Sequence, residues 1–326
     1  MKKTAIRHAF SGITVFGLVW YVVHSGLHRY LLSISIQSWV FSAILGWGIM
    51  VLSSWIIFTA RIGSIPVLKT LVLFPVCQSL AGLIFPFQGS LYFTSIYFSC
   101  VYDLKIGETV GVNILLLLTY IFFLGLTGLS LAYSYNNAEV MWLFGFILVI
   151  PIVVISVSYA NIKPTKFQTE QYSAKKAINL LLRFCRSVQI QWPVILSRPA
   201  IVGVYVARII MYLTWFAFLS HVLNTALSVH QLFYLIFAVE ASLIFKFTPG
   251  NWGVSQASGG IALSLIGGPV TDGVLLITVS MISVLMVDIA IGYFAVGHFT
   301  RLFALQRNAN LYIEVARQKS DLEHRN

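Results

Sequence analysis

Four ionisable side chains fall inside stretches that are otherwise apolar: Arg208, Glu240, Lys246 and Asp288, two of each sign. Charges in hydrocarbon are costly, and inside a span they usually face a cavity or one another. Lys246 opens the run Lys246-Phe247-Thr248-Pro249-Gly250-Asn251-Trp252-Gly253-Val254-Ser255-Gln256. Pro249 lacks a backbone N–H and cannot continue a helix, while Gly250 and Gly253 permit backbone angles that other residues avoid. The spacing predicts a broken helix, with one arm ending near Phe247, a turn from Pro249 to Gly253 and a second helix from Val254. Unpaired backbone at that depth is tolerated only inside protein or beside a watery cavity. The break therefore reads as a binding site; a loop at the membrane surface is the plainer alternative. Arg208 and Lys246 would attract an anionic phosphate, with Glu240 and Asp288 balancing them or accepting protons. The helix start at Val254 would add free N–H groups and a positive dipole end, and Asn251, Gln256 and Gln88 neutral hydrogen bonds. In the milder account Lys246 snorkels to an interface, and Arg208 forms a structural ion pair with Glu240 or Asp288.

The elements that would position these residues are membrane helices. The chain has 326 residues, 58% hydrophobic and 10% charged, with a mean hydropathy of +0.87. Soluble domains carry about 25% charged residues, so the composition is that of an all-α, polytopic membrane protein. The net charge of +11 needs no nucleic acid to explain it, because basic residues collect on the cytoplasmic side of multi-spanning proteins. Cys77, Cys100 and Cys185 show no disulfide or zinc spacing, and His24 and His28, one helical turn apart, lack a third ligand, so no metal is expected. No Gly-x-Ser-x-Gly, His-Glu-x-x-His or phosphate-binding loop occurs, so neither an enzyme nor a cofactor is expected.

In chain order, apolar runs predict full spans at Ala9–Val23, Ile36–Ala60, Thr109–Leu131, Val140–Ala160, Ala200–Leu219 and Gly273–Phe299. Two broken segments separate them: one at 66–102, interrupted by Pro86-Phe87-Gln88-Gly89, and one at 231–268. Their second arms, Ser90–Tyr102 and Val254–Ile266, reach roughly 20 Å against a core about 30 Å thick. Both are therefore expected as re-entrant hairpins, giving about six full spans plus two hairpins. All but three of the 21 basic residues, Arg29, Arg208 and Lys246, then fall on the cytoplasmic side, which also holds both termini. The whole chain reads as one membrane domain: a first half at 36–160, a linker at 161–198, a second half at 199–299 and a tail at 300–326. In the linker Ser173 is a plausible N-cap to an amphipathic surface helix, or to one that docks a partner. The halves run in opposite senses, an inverted repeat with a binding site between the breaks.

At these residues the sequence resembles the transmembrane flippase domain of lysylphosphatidylglycerol synthetases, the multiple peptide resistance factor family. The resemblance rests on Pro249-Gly250-Asn251-Trp252-Gly253-Val254-Ser255-Gln256 and, more weakly, on Pro86-Phe87-Gln88-Gly89-Ser90. Gln256 stands where the family has an acidic residue, Gln88 where it has a basic one, and the residues from Phe299 to Asn326 are too few for the family's synthetase domain, so lysyl-lipid synthesis is not expected. The resemblance implies translocation of a lipid or lipid-linked anionic headgroup between leaflets of the cytoplasmic membrane. The partners would be membrane lipids, and a homo-oligomer is compatible with it. Two rivals stand beside it: a secondary transporter of a small soluble solute, and a non-transporting subunit of a lipid or glycan assembly pathway.

Overall fold

The structure is a computed structural model that describes Trp20, Val23, His24 and residues 26–84, 89–104, 106–134, 138–159, 198–242 and 251–323. Those residues form helices and connecting turns, with no strand among them. In chain order the helices are α1 (Leu27–Ser33), α2 (Ile36–Ile62), α3 (Leu68–Ile84), α4 (Gly89–Tyr102), α5 (Ile106–Ser134), α6 (Ala138–Tyr159), α7 (Pro199–Val222), α8 (Val229–Ser242), α9 (Val254–Leu265) and α10 (Val270–Glu323). Among the described residues four stretches are long and apolar enough to cross a membrane: α2, Gly111–Ser130 within α5, α7, and Val270–Leu305 within α10. Residues 140–159 of the expected span at Val140–Ala160 lie in α6, which is not one of these four, whereas nearly all of the one at Ala9–Val23 and the amphipathic linker helix lie outside the described residues.

Local signals set the boundaries. Ser35 caps α2 by accepting a hydrogen bond from the Ser38 N–H at 3.1 Å, and the helix ends at Gly63, whose φ of 70° suits a residue without a Cβ. The last span and the tail, expected as separate pieces, form one 54-residue helix. No Gly or Pro follows Gly297, so nothing in the chain stops it.

Apart from the seven-residue α1, four described helices too short to span a membrane pack as two pairs, α3 with α4 and α8 with α9. They contain 17, 14, 14 and 12 residues, so at 1.5 Å per residue even the longest spans about 25 Å. The pairs are fixed by different means. Around α3 and α4, Phe58, Phe74, Tyr97, Phe98 and Phe299 form a buried aromatic cluster. Its edge-to-face contacts include Phe58–Phe74 at 5.0 Å and Tyr97–Phe299 at 5.4 Å between ring centres. Against α10, α9 is fixed by the absence of side chains: a Cβ on Gly273 would lie 2.4 Å from the Gly259 carbonyl oxygen, and one on Gly259 1.9 Å from Ile277 Cδ1.

Between the pairs runs a seam of α2, α7 and α10. Gly46 leaves room for the Trp215 indole, which a Cβ there would approach to 2.8 Å. Trp215 Nε1 donates to Ser42 Oγ at 2.7 Å, Ser42 bonds Ser283 at 2.7 Å, and Ser283 donates to the Val279 carbonyl at 2.9 Å. The chain of donors ends on a carbonyl of the preceding turn, so a polar thread crosses three helices with each hydroxyl used. The contacts beyond the seam are exchanged: α3 leans on α10, and α8 on α5.

Gly273→Ala should destabilise the protein by about 1–3 kcal/mol, the usual cost of overpacking. Gly203, which has nothing within 4 Å of a Cβ, is the control. Gly203→Ala should be neutral or stabilising by up to about 1 kcal/mol, and thermal unfolding in detergent distinguishes the two.

Candidate functional site

The strongest electrostatic contact joins α7 to α8. Arg208 Nη2 donates to Glu240 Oε1 at 2.7 Å, and the guanidinium lies over the Tyr120 ring of α5 at 4.1 Å. Tyr212 flanks it at 5.7 Å. Tyr205 Oη donates to the Leu116 carbonyl at 2.8 Å, which fixes α7 against α5 beside the pair. Glu240 is completely buried and the Arg208 side chain is 12% exposed. Two charges taken out of water repay their desolvation only when well matched. The aromatic face supplies a second source of stabilisation for the cation. Yet Glu240 Oε2 and Arg208 Nε find no hydrogen-bond partner among the described residues.

Asp288 does not join them by any contact of this kind. It is buried on α10, where Ser79 Oγ of α3 donates to Oδ2 at 2.6 Å while Oδ1 stays unpartnered among the described residues. The expected set of four charges is thus divided. Arg208 and Glu240 meet as the ion pair of the milder account, Asp288 is served by the first helix pair, and Lys246 lies outside the described residues. Charge and spacing along the chain cannot show which face of a span a residue occupies, so a sequence gives the members and not the partners.

The break itself is where the spacing put its downstream edge. α9 begins at Val254, after left-handed backbone at Asn251 (φ 63°) and Gly253 (φ 83°). Asparagine is among the few side chains that tolerate this region. The Gly253 N–H donates to Gln256 Oε1 at 2.6 Å. This is one half of a capping box; glycine has no side chain to supply the other. Asn251 Nδ2 donates to Ser242 Oγ at 2.9 Å and to Ser255 Oγ at 2.8 Å. The two hydroxyls bond each other at 2.9 Å, and Ser242 donates onward to the Val239 carbonyl at 2.6 Å. Asn251 Oδ1 and Gln256 Nε2 remain unpartnered among the described residues, although Asn251 is only 4% exposed and Gln256 1%. Gln88, Pro249 and Gly250, also expected here, lie outside the described residues.

Ser242 and Ser255 were not singled out from sequence. Asn251 and Ser255 lie four residues apart across the start of α9, but Ser242 is found only from the packing of α8 against α9. Arg61 was assigned to the cytoplasmic end of its span and does more. It hydrogen-bonds the Thr109 carbonyl, donates to Asn113 Oδ1 at 2.8 Å and lies over Phe98 at 4.6 Å, tying α2 to α4 and α5.

Removing one member of the α7–α8 pair leaves a buried, unpaired charge. Arg208→Gln or Glu240→Gln alone should cost about 3–5 kcal/mol, and the double variant R208Q/E240Q should recover most of it. Thermal unfolding of the three variants, read as a double-mutant cycle, measures the coupling.

The chain matches no known family, no curated protein and no solved structure.

Proposed function

We propose that this chain translocates a lipid or lipid-linked polar headgroup between the leaflets of a membrane. In this reading it has about six full spans and two re-entrant helix pairs, α3–α4 and α8–α9, arranged as an inverted repeat. The observation that carries the reading is the buried polar chemistry at the second pair. An ion pair and a Ser242–Asn251–Ser255–Gln256 cluster flank the break in an otherwise apolar body, and four of their polar atoms are unsatisfied among the described residues. A headgroup entering hydrocarbon loses its hydration, and groups already fixed at depth offset that loss. The exchanged contacts support the repeat: α3 of the first half packs on α10 of the second, and α8 of the second on α5 of the first. The resemblance of the Pro249–Gln256 stretch to flippase-type domains points the same way.

Arg208 is already neutralised by Glu240. Attraction of an anionic headgroup therefore falls to Lys246 and to the positive end of α9. The ion pair acts as a hinge pin, holding α8 on α7 while the break faces the substrate.

Two measurements test this. In a background without Cys77, Cys100 and Cys185, Lys105→Cys should react with an impermeant thiol reagent only from the cytoplasmic side. Thr271→Cys should react only from the other. Labelling of both from one side overturns the inverted arrangement. In vesicles, the purified protein should move fluorescently tagged lipid between leaflets, and R208Q/E240Q should fold yet be at least about tenfold slower, a change of about 1.4 kcal/mol. Solute counterflow without lipid movement overturns the lipid reading.

A further inference from the structure

Beside the polar cluster lies a groove of about 240 Å³ between α6, α8 and α9, walled by Phe144, Tyr234, Phe237, Ala241, Ile261 and Ala262. Ser242 lines its wall, and the same hydroxyl accepts a hydrogen bond from Asn251 Nδ2. Apolar groove and polar cluster are thus contiguous through one side chain. The groove has room for several methylene-sized groups.

The cluster has its own chemical signature. Asn251 Oδ1 can only accept a hydrogen bond and Gln256 Nε2 can only donate one. Both are buried and unpartnered among the described residues, and both belong to amides whose other atom is held: Asn251 by the two serines, Gln256 by the Gly253 N–H. Held amides with one free atom each are preorganised, so little conformational freedom remains to be lost on binding. A bare phosphate could use the donor and the α9 N-terminus, but it would leave the Asn251 acceptor facing an anion. A hydroxyl both donates and accepts, so neighbouring hydroxyls satisfy both atoms.

We propose that α9 and its flanking turn form a headgroup site for a hydroxyl-bearing lipid, a glycosyl or glyceryl headgroup, whose acyl chain lies in the α6–α8–α9 groove. Within the translocation reading, which this inference rests on and narrows, Asn251 and Gln256 select the headgroup while the groove selects only that a chain is present. Selectivity of this kind is strong, because a headgroup without hydroxyls leaves buried polar atoms unpaired.

The test uses the full chain in vesicles of phosphatidylcholine and acyl-labelled probes of glucosyl diacylglycerol, phosphatidylglycerol and phosphatidylcholine. Binding is read by native mass spectrometry and movement by a leaflet-selective quench. The two hydroxylated probes should bind about tenfold tighter than phosphatidylcholine. Asn251→Leu and Gln256→Leu should each remove most of that preference, read as the ratio to phosphatidylcholine binding in the same variant, with circular dichroism and thermal unfolding as the check that each variant folds. Ala262→Phe, which fills the groove, should weaken all three probes alike while circular dichroism and thermal unfolding stay near those of the parent protein. Equal binding of the three probes, or a preference that survives both leucine variants, overturns the headgroup assignment and leaves translocation standing. Selective binding without any movement between leaflets supports the site and overturns the translocation reading instead.

Discussion

A charge buried among apolar helices has no water to satisfy it, and the contact between Arg208 and Glu240 shows how that constraint organises this protein. The 2.7 Å bond joins the second short-helix pair to a long helix, and the Tyr120 ring brings a third helix to the same point. Neither partner is tolerable alone at that burial. The two must be brought together as the helices assemble, which makes the pair a register mark for α5, α7 and α8 as well as a bond. Around it the protein uses ordinary apolar packing, which is non-directional and would permit several alternative placements.

The two helix pairs solve the same problem in opposite ways. The first is wedged by rings, with Phe74 and Tyr97 at the centre of a cluster to which α2 and α10 each contribute a phenylalanine. The second is set against α10 by glycines, so that backbone meets backbone where Gly259 of α9 faces Gly273 of α10. An aromatic wedge can slide by a fraction of a ring, while a glycine contact closes only at one register. The polar cluster adjoins α9, the helix that the glycine contact sets against α10.

Much of this was legible in the sequence, because membrane helices advertise themselves by length and apolarity. The break was legible too: Gly253 has the left-handed backbone its type suggests, and α9 starts at Val254. What could not be read was lateral pairing. Arg208 and Glu240 are 32 positions apart, and Ser79 and Asp288 209. Nothing in hydropathy states which face of a uniformly apolar helix turns inward. The serines of the cluster were hidden for a related reason, since hydroxyls are common in spans and only the hairpin's closure brings Ser242 to Ser255. The undivided α10 was hidden by a shift in composition near Arg301 that changes the surroundings of the helix and not its backbone.

That undivided helix has a mechanical meaning. α10 touches α9 and also both members of the first pair, and it runs on well past the stretch apolar enough to lie in a membrane. Its 54 residues contain no proline, and at 1.5 Å each they form a rod about 80 Å long. A rod of that length turns a tilt of about 5° at one end into roughly 7 Å of travel at the other. A tilt of a straight α10 at either helix pair would therefore be carried to its C-terminal end as a displacement larger than the movement that caused it.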